Sequence, residues 1–212
     1  MSKRIFDLLF SVISLIILFP LFFFISILVK LDSRGPIFFK QVRIGYKWKK
    51  FYVYKFRTMI EDAEKAGERL TRNNDRRITK IGRLLRKYKI DEFPQLINVF
   101  KGEMSFVGPR PELPEYVEVF RNDYDYILKV KPGITDFASI KFRDESKLIE
   151  NSEEAENIYL NKILPQKIKL YKKYVMEHSF LLDLYLISST LLHIFIDQVF
   201  LARKKRKMGG LK

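Results

Sequence analysis

The chain has 212 residues, 47% of them apolar and 15% aromatic, and its 40 Lys and Arg against 25 Asp and Glu give a net charge of +15. This excludes a disordered tail and fits one domain with a sizeable core, and the positive balance calls for a phosphate-bearing partner: nucleic acid, anionic lipid or a phosphorylated small molecule. With no cysteine, disulfides, thiolate catalysis and Cys-ligated zinc are excluded, and the two histidines, His178 and His193, read as core or interfacial residues amid apolar neighbours.

Residues 8–29, LLFSVISLIILFPLFFFISILV, carry no charge, and as a straight helix they would reach about 33 Å against a hydrocarbon core of about 30 Å. The run is too long for a signal peptide, and no small-residue cleavage site follows it. Pro20 divides it into pieces of about 14 to 18 Å, each too short to cross alone. Lys3 and Arg4 precede the run, while Lys30, Arg34, Lys40, Arg43, Lys47, Lys49 and Lys50 follow it. The preference of basic flanks for the cytoplasm puts both ends on one side. A re-entrant helix-break-helix satisfies both demands, and a kinked spanning helix is the alternative.

Next, PIFFKQVRIGYKWKKFYVYKFRTM alternates apolar and polar residues in two runs around Gly45 and a lysine cluster, which predicts a β-hairpin. EDAEKAGERL reads as helical, and RNNDRRITKIGRLLRKYKI as a loop entering a basic helix. Residues 30–60 and 69–90 each hold nine Lys or Arg and one acid. Two such spans beside a membrane anchor point to a docked phosphate-rich partner. Residues 144–178 form a mixed-charge helical region interrupted at Pro165. Residues 180–202, apolar but for Asp183, His193 and Asp197, are followed by RKKRK at 203–207, which predicts an interfacial helix with a polybasic clamp; a second spanning helix is the alternative.

The stretch KIDEFPQLINVFKGEMSFVGPRPE, residues 89–112, carries the candidate chemistry. A carboxylate in a positive field stays ionised and can attack phosphorus to give an acyl phosphate. Phosphoryl chemistry then needs cations on the non-bridging oxygens and a hard metal such as Mg²⁺ held by one or two carboxylates plus substrate phosphate. Asp91 and Glu92 supply the carboxylates, with Arg86 five residues upstream and Arg110 held between Pro109 and Pro111, on an arm suited to bidentate phosphate binding. Spacing alone also allows a plain helix start at Asp91-Glu92 and an ion pair of Arg110 with Glu112.

KRIFD, FKQVRIG, YKFRTM, DEFPQLINVFKGEMSFVGPRPE and KPGIT, in this order behind a Pro-broken apolar segment, resemble the bacterial sugar transferase family, the monotopic polyprenyl-phosphate phosphoglycosyl transferases, in a small catalytic-core form. The resemblance runs from about residue 2 to about 140, with an echo at SFLLDL. It implies transfer of a sugar-1-phosphate from a UDP-sugar to undecaprenyl phosphate, with release of UMP, through an aspartyl-phosphosugar intermediate. The place is the cytoplasmic face of the bacterial inner membrane. By motif match Asp91 is nucleophile and Mg²⁺ ligand, and Glu92 is its dyad partner. Lys55, Arg86 and Arg110 match positions that handle phosphate or the dyad, Arg57 and Arg43 lie in matching motifs, and Pro20 is the helix break.

The expected fold is α+β and mostly helical: a re-entrant membrane segment at 1–30, then a catalytic domain at 31–212 with a small hairpin and interfacial amphipathic helices. The expected partners are UDP-sugar, undecaprenyl phosphate and anionic lipids, whose headgroups Lys3 and Arg4 would reach; no nucleic acid is expected. Two departures stand out. Phe19-Pro20 replaces the Ser-Pro of many members, and DFASIKFRDE stands where many read GWAQVNGR, which bears on substrate identity. The alternative function is a membrane-anchored basic binding protein, since YKWKKFYVYKF interleaves aromatics with lysines as single-strand binders do.

Overall fold

The apolar N-terminal run folds as one helix, α1 (Ser2–Asp32), in a computed structural model that describes residues 2–61, 75–143 and 155–193. The break expected at Pro20 is corrected: the helix runs through it, because proline deletes one donor and crowds one carbonyl while the turns on either side keep their bonds. Among the described residues α1 is the one helix long and apolar enough to cross a membrane. Its middle, at Ile16, Ile17 and Phe19, is exposed, yet both of its ends are fastened to the rest of the protein.

At the N-terminal end Lys3 Nζ donates to Val107 O (2.9 Å), Tyr174 OH (2.7 Å) and Asp183 Oδ2 (2.7 Å). Arg4 caps carbonyls of Val99 (2.7 Å) and Phe100 (2.8 Å), and the buried Asp7 accepts from Ser105 Oγ and Phe106 N. Lys3 and Arg4 were expected at lipid headgroups; instead these polar groups find their partners within the fold. At the other end Ile25 and Val29 pack with Phe56 and Leu85, and Asp32 Oδ2 accepts from Ile81 N at 2.8 Å.

The hairpin forms as expected: β1 (Phe38–Ile44) pairs antiparallel with β2 (Lys50–Phe56), Phe39 opposite Lys55 and Arg43 opposite Phe51. Its buried Phe51 and Val53 join Val99 and Met104 in a core cluster, the ordinary role of aromatics alternating along a strand. Helix α2 (Lys80–Lys87) starts at Thr79, whose hydroxyl accepts from Gly82 N at 3.0 Å. A single 3₁₀ turn, Ile90–Glu92, leads into α3 (Gln95–Lys101). Asn98, fully buried in the apolar run LINVF, ties α3 to β2 by accepting from Tyr54 N (3.1 Å) and donating to Tyr52 O (2.7 Å).

A second, parallel pair was not legible in the sequence: β3 (Ser105–Val107) lies beside β4 (Gly133–Thr135). A Cβ on Gly133 would stand 2.1 Å from Gly108 N, so only glycine allows VGPRP and KPGIT to lie backbone to backbone. Short helices α4 (Pro114–Val119), α5 (Arg121–Ile127) and α6 (Phe137–Lys141) follow, then α7 (Ala155–Ile158) and α8 (Leu164–Glu177). The interruption expected at Pro165 is a π turn, Tyr159–Ile163, that joins α7 to α8 without ending the helix; Pro165 has no N–H, so the preceding ladder shifts to accommodate it.

Helix α9 (Phe180–His193) buries Asp183 and Leu186 and exposes Phe180, Leu181, Leu184, Tyr185, Leu191 and Leu192. Both histidines are exposed rather than in the core. Most of EDAEKAGERL, the start of the 144–178 region and the RKKRK tail lie outside the described residues. The architecture is thus mostly helical α+β, with one small antiparallel hairpin and an apolar N-terminal helix.

Candidate active site

Asp91 and Glu92 stand on the 3₁₀ turn between α2 and α3. Lys89, in the left-handed region at φ 58°, reverses the chain out of α2 so that both carboxylates follow it within one turn. Asp91 is 8% exposed, and its Oδ1 is buried without a hydrogen-bond partner among the described residues. Burial, and then the neighbouring Glu92 charge, push its carboxyl above the usual aspartate range against the pull of Lys55, Arg86 and Lys89. Glu92 has the opposite fate. Burial works to raise it too, but Arg110 and Lys55 outweigh that and hold it well below the ordinary glutamate range.

The contacts explain the difference. Glu92 Oε1 accepts from Lys55 Nζ at 2.8 Å, and Arg110 closes its fork on both carboxylate oxygens, with Nη1 at 3.0 Å from Oε2 and Nη2 on Oε1. Arg110 is raised, first by Glu92, whereas burial lowers Lys55. The alternative pairing of Arg110 with Glu112 does not form as a direct bond. The fork expected to await phosphate is engaged by Glu92, and what it presents beside Asp91 is fixed positive charge. Two carboxylates that differ this much, one ionised and doubly bound, the other desolvated and unengaged, suit one to a structural part and the other to attack.

Arg86 approaches from α2, with Nε donating to Thr58 Oγ1 at 2.8 Å. Gly82, one turn earlier, is what lets α2 come so close: a Cβ there would lie 2.1 Å from Thr58 O. Among the described residues no group of three or more Asp, Glu, His or Cys could hold a metal. A single free carboxylate oxygen at Asp91 fits Mg²⁺, which binds through one or two carboxylates with substrate phosphate and water. Residues 1–197 match the family model described as bacterial sugar transferase. The chain belongs to the bacterial sugar transferase family.

Relatives within this family carry more specific names. The chain is similar to the uncharacterized sugar transferase EpsL of Bacillus subtilis, 38% identical over 196 residues, covering 92% of this chain and 88% of that protein. It is 37% identical over 202 residues to a UDP-glucose:undecaprenyl-phosphate glucose-1-phosphate transferase of Klebsiella pneumoniae, covering 92% of this chain and 40% of the relative. It is 40% identical over 141 residues to a UDP-N-acetylgalactosamine-undecaprenyl-phosphate N-acetylgalactosaminephosphotransferase of Aeromonas hydrophila, covering 65% and 33%. The chain therefore spans a third of the Aeromonas relative's length and most of EpsL.

Of the residues the family resemblance singled out, Asp91, Glu92, Lys55 and Arg110 form one cluster, and Arg86 borders it by its charge on Asp91. Arg57 does not join them. It is buried and donates to Val29 O (3.3 Å) and Ser33 O (2.6 Å), capping the C-terminal end of α1, so its assignment to phosphate binding is corrected. Pro20 lies in the exposed middle of α1.

Arg43 stands at the edge of the cluster, with Nη2 donating to Gln41 Oε1 (2.6 Å) and Nη1 3.7 Å from Glu112 Oε2. Beneath it lies a group that sequence reasoning missed. Glu112 Oε1 accepts from Tyr159 OH (2.9 Å), Lys167 Nζ (3.4 Å) and Tyr171 OH (3.4 Å). The available signal was a lysine on the apolar face of a helix, Lys167 between Leu164, Ile168 and Tyr171, where an unpaired charge would not be tolerated.

Proposed function

We propose that the chain transfers a sugar-1-phosphate from a UDP-sugar to undecaprenyl phosphate, giving an undecaprenyl-diphosphate-linked sugar and UMP, with Asp91 as nucleophile. The observation that carries this is the buried, unengaged Asp91 Oδ1 beside a Glu92 fully occupied by Lys55 and Arg110. Asp91 attacks the phosphorus bearing the sugar, an O–P bond forms, and the bond to the bridging oxygen breaks as UMP leaves. A phosphate oxygen of undecaprenyl phosphate then attacks the same phosphorus and frees Asp91. Lys55, Arg110 and Arg86 give the developing oxyanion charge a fixed cationic surround, and Glu92 keeps the first two from moving. Mg²⁺, held by Asp91, would supply charge neutralisation on the pyrophosphate.

The names of the relatives support this substrate class. A monotopic placement at the cytoplasmic face is supported by α1 itself: Lys3 and Arg4 at one end, and Val29 and Asp32 at the other, bond to the same folded body. A continuous helix that lies along one face of the membrane meets that demand, and its exposed apolar middle suits lipid. The test is UMP release by the purified chain with undecaprenyl phosphate, Mg²⁺ and a panel of UDP-sugars. Release with at least one sugar, dependent on the acceptor for continued turnover, is expected; no release across the panel contradicts the proposal.

A further inference from the structure

We infer that Glu112 and Lys167 form a positioning pair that keeps the guanidinium of Arg43 open toward the substrate's phosphates, an inference resting on the phosphoglycosyl transfer reading. The two oxygens of Glu112 are used unequally. Oε1 receives donors from the C-terminal helical region, Tyr159 OH at 2.9 Å, Lys167 Nζ at 3.4 Å and Tyr171 OH at 3.4 Å. Oε2 faces Arg43 Nη1 at 3.7 Å, beyond hydrogen-bond reach. Arg43 is instead held by a neutral partner on its own strand, Gln41 Oε1, at 2.6 Å.

The geometry also ties these groups to the reaction centre. Ile44 N donates to Glu112 O at 3.4 Å, so the end of β1 and the GPRPE segment move together. Arg43 is repelled by the charge of Arg110 and attracted by those of Glu112 and Glu92. Glu112, with Oε2 3.7 Å from Arg43 Nη1, supplies the larger attraction. An uncompensated Glu112, buried at 6% side-chain exposure, would draw Arg43 into a direct two-pronged bridge and consume its donors. Lys167, at 5%, supplies the compensating charge from below. The carboxylate then attracts Arg43 into place without capturing it, and the free donors of Arg43 face the nucleotide sugar's phosphates.

The test compares full-length wild type, Lys167→Met, Tyr159→Phe and Lys167→Met/Glu112→Gln by KM and kcat for the UDP-sugar, by UDP affinity in calorimetry, and by thermal melting. Lys167→Met is expected to raise KM and the UDP Kd roughly tenfold or more, the scale of one charge-assisted hydrogen bond lost, with kcat changed much less. The double variant, with no acid left to capture Arg43, is expected to recover part of that loss and to stay weaker than wild type, because Glu112 no longer offsets the charge of Arg110; Tyr159→Phe should show a smaller shift of the same sign. Unchanged UDP affinity in a folded Lys167→Met, or a double variant no better than the single one, overturns the inference. Should Lys167→Met fail to fold, Tyr159→Phe decides: unchanged KM and Kd overturn it. Wild type that binds UDP but turns over no UDP-sugar contradicts the transferase reading instead, and the binding arm still reads the positioning pair.

Discussion

Asp91 is kept ready at a cost to stability. Its pKa is raised in the folded state, so ionising it costs more there than in the unfolded chain, and the penalty vanishes only below the ordinary aspartate range. Asp91→Asn should therefore abolish turnover while raising stability by order 1 kcal/mol, about 2 to 4 °C in Tm for a chain of this size. An active or less stable Asn variant would contradict this. The same shift predicts an acid limb: activity falls as pH falls through the raised Asp91 value, above where an ordinary aspartate titrates. Glu92 has the opposite sign. Its lowered pKa contributes stability above the ordinary glutamate range, lost only as pH drops through the depressed folded value. Arg110→Lys keeps the charge but loses the fork on Glu92, and kcat/KM should fall roughly ten- to hundredfold. An unchanged kcat/KM would mean that the fork has no part in the reaction.

At the scale of elements, α2 and the N-terminal end of α1 do most to hold the site. Gly82→Ala puts a methyl against Thr58 O at 2.1 Å, so α2 must lift away from the hairpin, taking Arg86 with it. A loss of about 2 to 4 kcal/mol is expected, with kcat/KM reduced in what remains folded; denaturant unfolding beside kinetics measures both. Lys3→Met leaves the buried Asp183 with Tyr174 OH but without its ion-pair partner, and removes the three bonds that join α1 to β3, α8 and α9. A drop in Tm is expected, and Lys3→Met/Asp183→Leu should recover part of it, because a buried pair replaced together costs less than one partner left alone. The hairpin and the basic helix were legible from period and charge, and the motif at 89–112 marked Asp91, Glu92 and Arg110, which the structure brings together. The β3–β4 pair was not legible: each strand has three residues, too few to show a period, and their pairing rests on Gly108 and Gly133, distant in sequence. Arg57 looked like a phosphate ligand for want of any sequence signal that it caps a helix in contact only through the fold. Lys167 and Glu112 likewise meet only across the chain.

For the molecule as a whole, the fastening of both ends of α1 to one body favours an N-terminus on the same side as the active site. Since the chain has no cysteine, Ser2→Cys gives a single thiol. In intact cells an impermeant reagent should leave it unlabelled until the membrane is opened; labelling from outside would show a spanning segment. The continuity of α1 through Pro20 was illegible because a proline alone does not say whether the turns around it persist.

The central claim is that a single side chain, Asp91, carries the sugar phosphate between donor and acceptor. Intact mass spectrometry of the purified chain with UDP-sugar, Mg²⁺ and no undecaprenyl phosphate tests it most directly. The account predicts a species heavier by one phosphosugar, mapped to Asp91, absent in Asp91→Asn, and discharged when undecaprenyl phosphate is added. Turnover with no adduct in wild type, together with an active Asp91→Asn, would contradict it.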